Sequence, residues 1–314
     1  MPGLAASGRR VIAPDLRGFG RTTGADARFE ADLAPFRQLS LVGDLLALLR
    51  ALGVAAVDAV IGHDFGAVLA AWTALVRPDV CRAVVMMSAP FSGPPGFAPA
   101  PDAEALDRGM AGLSPPRRHY ASYFSLPNAA AEMAAPPEGL AAFLRAYFHA
   151  KSGDHPANRP HPLKGAGPDA FAALPPYYVM PRALDMPSAV RPLMPAPEAA
   201  AACPWLTPAD LEVYRMEYAR TGFQGGLNWY RARSDPGLCA FAGRAVEVPA
   251  AFIAGDRDWG VRQTPGAFEA MASRGCSRLR RIELIPGAGH WVQQEAPEAV
   301  LAALLAFLNE AHEA

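Results

Sequence analysis

At Val60-Ile61-Gly62-His63-Asp64-Phe65-Gly66-Ala67 a buried-strand pattern runs into a helical pattern with no spacer. Small residues flank one polar residue, which permits a tight turn and close strand–helix packing. Such a junction confines the chain to a parallel α/β sheet, with Asp64 at the carboxyl end of a central strand. The surrounding pattern agrees. Residues 10–13, 55–61 and 82–87 read as strands, and residues 41–52 and 66–76 as helices.

The texture changes along the 314 residues. Residues 1–92 alternate strand and helix. Of the 32 prolines, 23 lie between Pro90 and Pro208, which disfavours long strands there. Residues 93–232 are therefore expected to form an inserted, mainly helical cap, with helices at 139–150 and 208–221. The second follows Thr207-Pro208, an N-cap and a first-turn proline. Residues 233–314 return to the first texture, with strands at 248–254 and 281–285 and helices at 264–273 and 297–310.

Composition removes several function classes. Basic and acidic residues number 29 and 30, a net charge of −1, so no basic face is available to neutralise phosphates and no nucleic-acid partner is expected. The longest apolar runs, residues 67–76 and 299–308, are about half the roughly 20 residues of a bilayer span. They read as buried helices. Residues 1–10 lack a secretory apolar segment. Cys81, Cys203, Cys239 and Cys276 show neither zinc-site nor disulfide spacing. A cytoplasmic location is the expectation. All but two of the basic residues, Lys151 and Lys164, are arginine.

Where a serine nucleophile is usual at such a turn, this chain has a carboxylate. A carboxylate can attack carbon to form an ester, splitting one hard step into two. The plain alternative for Asp64 is a helix N-cap. Two further segments favour chemistry. Gly255-Asp256-Arg257-Asp258-Trp259 places an acid after the strand at 248–254, and Pro286-Gly287-Ala288-Gly289-His290-Trp291 places a histidine after the strand at 281–285. Nucleophile, acid and histidine then occur in that order. Asp258 would orient His290, and His290 would activate water. Asp256 is the rival acid but suits the turn beside Gly255. His63 is expected to point away from the pocket and pack.

These features resemble the epoxide hydrolase branch of the α/β-hydrolase superfamily. Val11-Ile12-Ala13-Pro14-Asp15-Leu16-Arg17-Gly18-Phe19-Gly20-Arg21 resembles that family's strand-and-loop signature. Residues 62–66 resemble its aspartate elbow, with Phe65 where relatives often carry tryptophan. Thr221-Gly222-Phe223-Gln224-Gly225-Gly226-Leu227-Asn228-Trp229-Tyr230-Arg231 resembles the segment carrying one of two epoxide-activating tyrosines, here Tyr230. The second maps to Tyr120 in His119-Tyr120-Ala121-Ser122-Tyr123-Phe124, with Tyr123 as the fallback. Two phenols aimed at the epoxide oxygen would donate hydrogen bonds where charge develops. Phe65 and Trp229 are expected at the oxyanion and substrate-binding surface, and Tyr177 and Tyr178 as lining. The resemblance implies an α/β-hydrolase core with a cap, a small hydrophobic epoxide and water as reactants, and no metal or organic cofactor. It leaves a homodimer open.

The start departs from the family pattern. Relatives carry about three strands before the match to residues 10–15, then a His-Gly-x-Pro loop that donates one oxyanion N–H. No His-Gly-x-Pro occurs in this chain. The expectation is a core lacking its N-terminal strands, either because the start lies upstream of Met1 or because the product is truncated. Such a sheet should be less stable and less active than an extended form. Two other readings stand beside epoxide hydrolysis: a haloalkane or haloacetate dehalogenase, for which Phe65 is a poor halide donor, and a catalytically impaired remnant.

Overall fold

Continuous apolar runs suit strands covered on both faces. In the computed structural model, which describes residues 1–97 and 103–312, they lie side by side. Strands β1 (Val60–His63), β2 (Val84–Met87), β5 (Ala250–Gly255) and β6 (Leu279–Ile285) form a parallel sheet in the order β1-β2-β5-β6. Val60 pairs with Val84, Val84 with Ala250, and Phe252 with Ile282.

The period-two rule sorts side chains between two cores. Val84, Met86, Ala250, Phe252 and Ala254 face one, shared with helices Gln38–Ala51 and Phe65–Val76. Val85, Met87, Ala251 and Ile253 face the other, shared with helix Pro297–His312. The run at 67–76 is thus a buried helix, with eight buried residues in Phe65–Val76.

A third core gathers residues from 110 to 227 with Trp259. Its frame includes helices Leu140–Lys151, Pro208–Thr221 and Gln224–Arg231. The capping box at Thr207 and Asp210 starts the second of these where the sequence expected it. This region also holds a strand pair that the sequence reading omitted: β3 (Arg117–His119) and β4 (Val179–Pro181), antiparallel. Three residues are too few to show a period of two, and prolines surround both segments.

Two other expectations are corrected. Residues 10–13 run extended but join no ladder. Among the described residues nothing pairs with the outer edge of β1, whose Ile61 stays 36% exposed. Val11 instead packs against the core under Pro297–His312. The helix expected at 264–273 is a short α-turn, Ala267–Ala270, followed by a wider π-turn, Met271–Gly275.

Candidate active site

Asp64 follows β1 directly and opens helix Phe65–Val76 with φ 53° and ψ −119°. A non-glycine residue held there carries about 1–3 kcal/mol of strain, which a nucleophile turn characteristically stores. The turn closes because Gly62 has no side chain; a Cβ there would overlap the Gly66 carbonyl. The Phe65 N–H, in the first turn of the helix, has no intrahelical acceptor.

Asp258 and His290 meet as the order of the segments implied. His290 Nδ1 lies 3.1 and 3.2 Å from the two carboxylate oxygens of Asp258, and both residues are buried. The Gly260 N–H donates to Asp258 at 2.7 Å. Burial alone would raise the Asp258 pKa, but His290 and the Gly260 amide outweigh it and hold the carboxyl below its ordinary range. Asp64 behaves alike: burial pushes its pKa up, and His290 and Lys151 pull it below the usual value against the repulsion of Asp258. Asp256 is the turn residue expected, accepting from the Gly287 N–H at 2.8 Å.

A cavity of about 360 Å³ opens on Asp64 and is lined by Phe65, Tyr120 and Tyr230 among others. The two tyrosine rings are 5.7 Å apart, and the Tyr230 ring meets that of Phe65 edge-on at 4.7 Å. Burial raises both phenol pKa values above the ordinary tyrosine range. The Tyr120 hydroxyl donates to Gln263 Oε1 at 3.3 Å. The fallback, Tyr123, is buried in the third core with its hydroxyl on Glu132 at 2.8 Å, so Tyr120 is the one that shares the cavity with Asp64.

Two expectations for neighbouring residues change. Trp229 is not a lining residue: its indole N–H donates to the Arg17 carbonyl at 2.8 Å, and its ring packs on Phe19 and Phe65. The Arg17 carbonyl takes its only donor and the core takes its ring. His63 does more than pack. Its Nε2 donates to the His290 carbonyl at 2.7 Å, and the rings are 4.9 Å apart. Burial, then the neighbouring His290, press the His63 pKa down to about 4, so it is a neutral donor.

Residues unmarked in the sequence reading complete the support. Ser88, at φ 67°, donates to the same His290 carbonyl at 3.1 Å. The Glu295 carboxylate accepts from the backbone N–H groups of Gly153, Gly289 and Trp291 at 2.7, 2.8 and 3.0 Å. The His290 N–H donates to the Lys151 carbonyl at 2.9 Å. The histidine loop is thereby tied to the turn after helix Leu140–Lys151. A glutamate five residues past a histidine has no local signature for this, because one partner lies 142 residues away. Tyr177 and Tyr178 are buried in the third core, Tyr177 with its hydroxyl on Asn158. No group of three or more metal-ligating side chains occurs among the described residues.

Comparison with known proteins matches this architecture. A family model for the alpha/beta hydrolase fold matches residues 1–118. Epoxide hydrolase B of Mycobacterium tuberculosis is 33% identical, the alignment covering 98% of this chain and 86% of that protein. Epoxide hydrolase A of the same organism is 34% identical, with 98% and 84% covered. The solved structure of an epoxide hydrolase from an endophytic Streptomyces superposes with a TM-score of 0.79 at 30% identity, over 100% of this chain and 84% of that one. Potato epoxide hydrolase I gives 0.73 at 30% identity, over 99% and 87%. The chain belongs to the epoxide hydrolase branch of the α/β-hydrolase superfamily.

Proposed function

We propose that this protein hydrolyses an epoxide to a vicinal diol through an ester on Asp64. The observation that carries the reading is the convergence on one cavity of the strained Asp64 and the phenols of Tyr120 and Tyr230. A carboxylate oxygen of Asp64 attacks an epoxide carbon, and the carbon–oxygen bond of the ring breaks. The departing oxygen is held by the two hydroxyls and takes a proton from one of them. Buried phenols are weak acids, so they donate hydrogen bonds to the epoxide and yield a proton only to the more basic alkoxide. Water then adds to the ester carbonyl, His290 takes its proton, and Asp258 balances the imidazolium. Collapse releases the diol, restores the carboxylate, and returns the proton to the phenolate. The Phe65 N–H is the donor we assign to the oxyanion.

Phe65, Val68, Leu106, Met110 and Phe171 line the cavity, which suits a small hydrophobic epoxide. Halide displacement is the weaker reading, because the Trp229 N–H is committed to Arg17. We take residues 93–232 as the cap and residues 1–92 and 233–314 as the core. No helix is long and apolar enough to cross a membrane among the described residues, and all four cysteines are free. The latter fits our assignment to the cytoplasm.

The test is a single turnover in water carrying heavy oxygen. Label should appear in the Asp64 carboxylate while the first-turnover diol stays unlabelled. His290→Gln should accumulate protein heavier by one substrate mass. Label in the first-turnover diol would overturn the ester mechanism.

A further inference from the structure

Lys151 is 6% exposed, in a chain that otherwise uses arginine at all but one basic position. Its ammonium lies 5.2 Å from the ring centre of Tyr178, 5.5 Å from that of Trp291 and 5.6 Å from that of Tyr147. No carboxylate lies within 4.0 Å of it among the described residues. A buried cation without an adjacent anion is costly unless charges a little further away compensate it.

The walls of this cage are the neighbours of the reacting groups. The Trp291 ring is 4.8 Å from that of His290, and the Tyr178 ring is 5.2 Å from that of Tyr120. The Lys151 carbonyl holds the His290 N–H, so the ammonium and the histidine loop are fixed to one residue. Beyond those walls are two carboxylates, Asp258, which is buried, and Asp64, which lines the cavity with Tyr120, served by one imidazole that must stay neutral to accept a proton from water. Two carboxylates so placed resist ionising together. Arg145, also buried, is occupied elsewhere, donating to the Leu206 carbonyl at 2.7 Å.

We propose that Lys151 is a positioning residue of the active site: its caged ammonium is the counter-charge that lets Asp64 stand as a carboxylate beside Asp258. This rests on Asp64 being the nucleophile. The field of Lys151 reaches both Asp64 and Tyr120, favouring the anion at each. Other titratable groups around the cage are His63, His290, Asp258, Tyr147, Tyr178 and Glu295. Aromatic faces hold the cation without neutralising it, which leaves its charge available to the carboxylates.

The experiment is the pH dependence of single-turnover alkylation, read by intact-protein mass, for the wild type, Lys151→Met, Lys151→Gln and Lys151→Arg. Alkylation needs ionised Asp64, and removing a cation raises its proton affinity. The acid limb of both neutral variants should move up by about one pH unit or more. Lys151→Arg, which keeps the charge, should leave the limb near the wild-type position. A packing role alone would change melting temperature or plateau rate without moving the limb. Superimposed limbs for wild type, Met and Gln would overturn the proposal. If the neutral variants do not fold, Asp64→Asn in the same chain should restore folding when the two charges are partners; no restoration also overturns it. Absence of any alkyl-enzyme in His290→Gln, whose ester lacks its general base, would instead mean that Asp64 is not the nucleophile.

Discussion

Glu295→Ala removes one acceptor group from three backbone amides at once, those of Gly153, Gly289 and Trp291. Gly153 and Gly289 are buried, and each backbone fills the space where the other's side chain would stand. Water therefore replaces the lost carboxylate poorly. At about 1 kcal/mol for each stranded amide, the loss is about 3 kcal/mol. At about 2.1 cal/mol/K per residue, the 314 residues convert that loss into a fall in melting temperature of roughly 4–5 °C. Glu295→Gln should cost less. Burial raises the Glu295 pKa against the three amides, so the fold favours the neutral form more than water does. The carboxylate's charge is thus a net burden near neutral pH, eased as the group is protonated. The glutamine oxygen can still serve the two converging N–H groups, leaving one stranded. Calorimetric melting of both variants near neutral pH is the assay, with the alanine variant clearly the less stable. An alanine variant melting with the wild type, or a glutamine variant melting below it, would refute the reasoning.

Other perturbations probe the site. Tyr120→Phe and Tyr230→Phe should each slow alkylation by about 10- to 1,000-fold, with melting nearly unchanged, and the double variant should be slower than either, as rapid-mix mass measurement would show. Wild-type alkylation rates in both single variants and the double would remove the phenols from the mechanism. His63 should make stability depend on acid. Its folded pKa, about 4, lies below the ordinary 6.5, so its contribution is full above about 6.5 and is lost as pH falls toward 4, because the unfolded chain then binds more protons. Denaturant titrations of wild type and His63→Asn across that window should diverge, the wild type having the steeper slope.

Most of the fold was legible because its elements announce themselves locally. The run at 67–76, the Thr207 cap and the apolar strands at 84–87 and 250–255 carry their own period or boundary. The Asp64 turn was legible for the same reason. What stayed hidden depends on contacts across the chain. Alternation along β1 says which face His63 occupies, but not that the His290 carbonyl, 227 residues away, crosses that face. Trp229 sits in the motif that carries Tyr230, so proximity in sequence suggested a shared surface. Successive residues on a helix point about 100° apart, and the tryptophan faces the core while the tyrosine faces the cavity. Residues 10–13 have the composition of a strand, yet a strand exists only where a ladder partner does.

The motif at 221–231 matters because it docks its own helix onto a loop rather than onto the sheet. Gly225 meets Gly18 backbone to backbone; a Cβ at either would overlap the other's carbonyl or Cα. Asn228 donates to the Arg28 carbonyl at 3.4 Å and Trp229 to that of Arg17 at 2.8 Å. Arg231 donates to the Phe29 carbonyl and lies 3.7 Å from the ring centre of Phe29. Four contacts thus fix helix Gln224–Arg231 against residues 17–29, and Tyr230 is the residue they leave facing Asp64. The loop is fixed in turn by Arg17, whose guanidinium donates twice to Asp44 on helix Gln38–Ala51, at 2.8 and 2.6 Å. That helix packs on the one that Asp64 opens, through Leu41 and Val42. The chain of contacts from Asp64 through Asp44, Arg17 and Gly18 to Tyr230 is closed and mostly backbone-anchored. It sets the distance between the Asp64 carboxylate and the Tyr230 phenol without requiring the two to touch, which leaves the space between them to the epoxide.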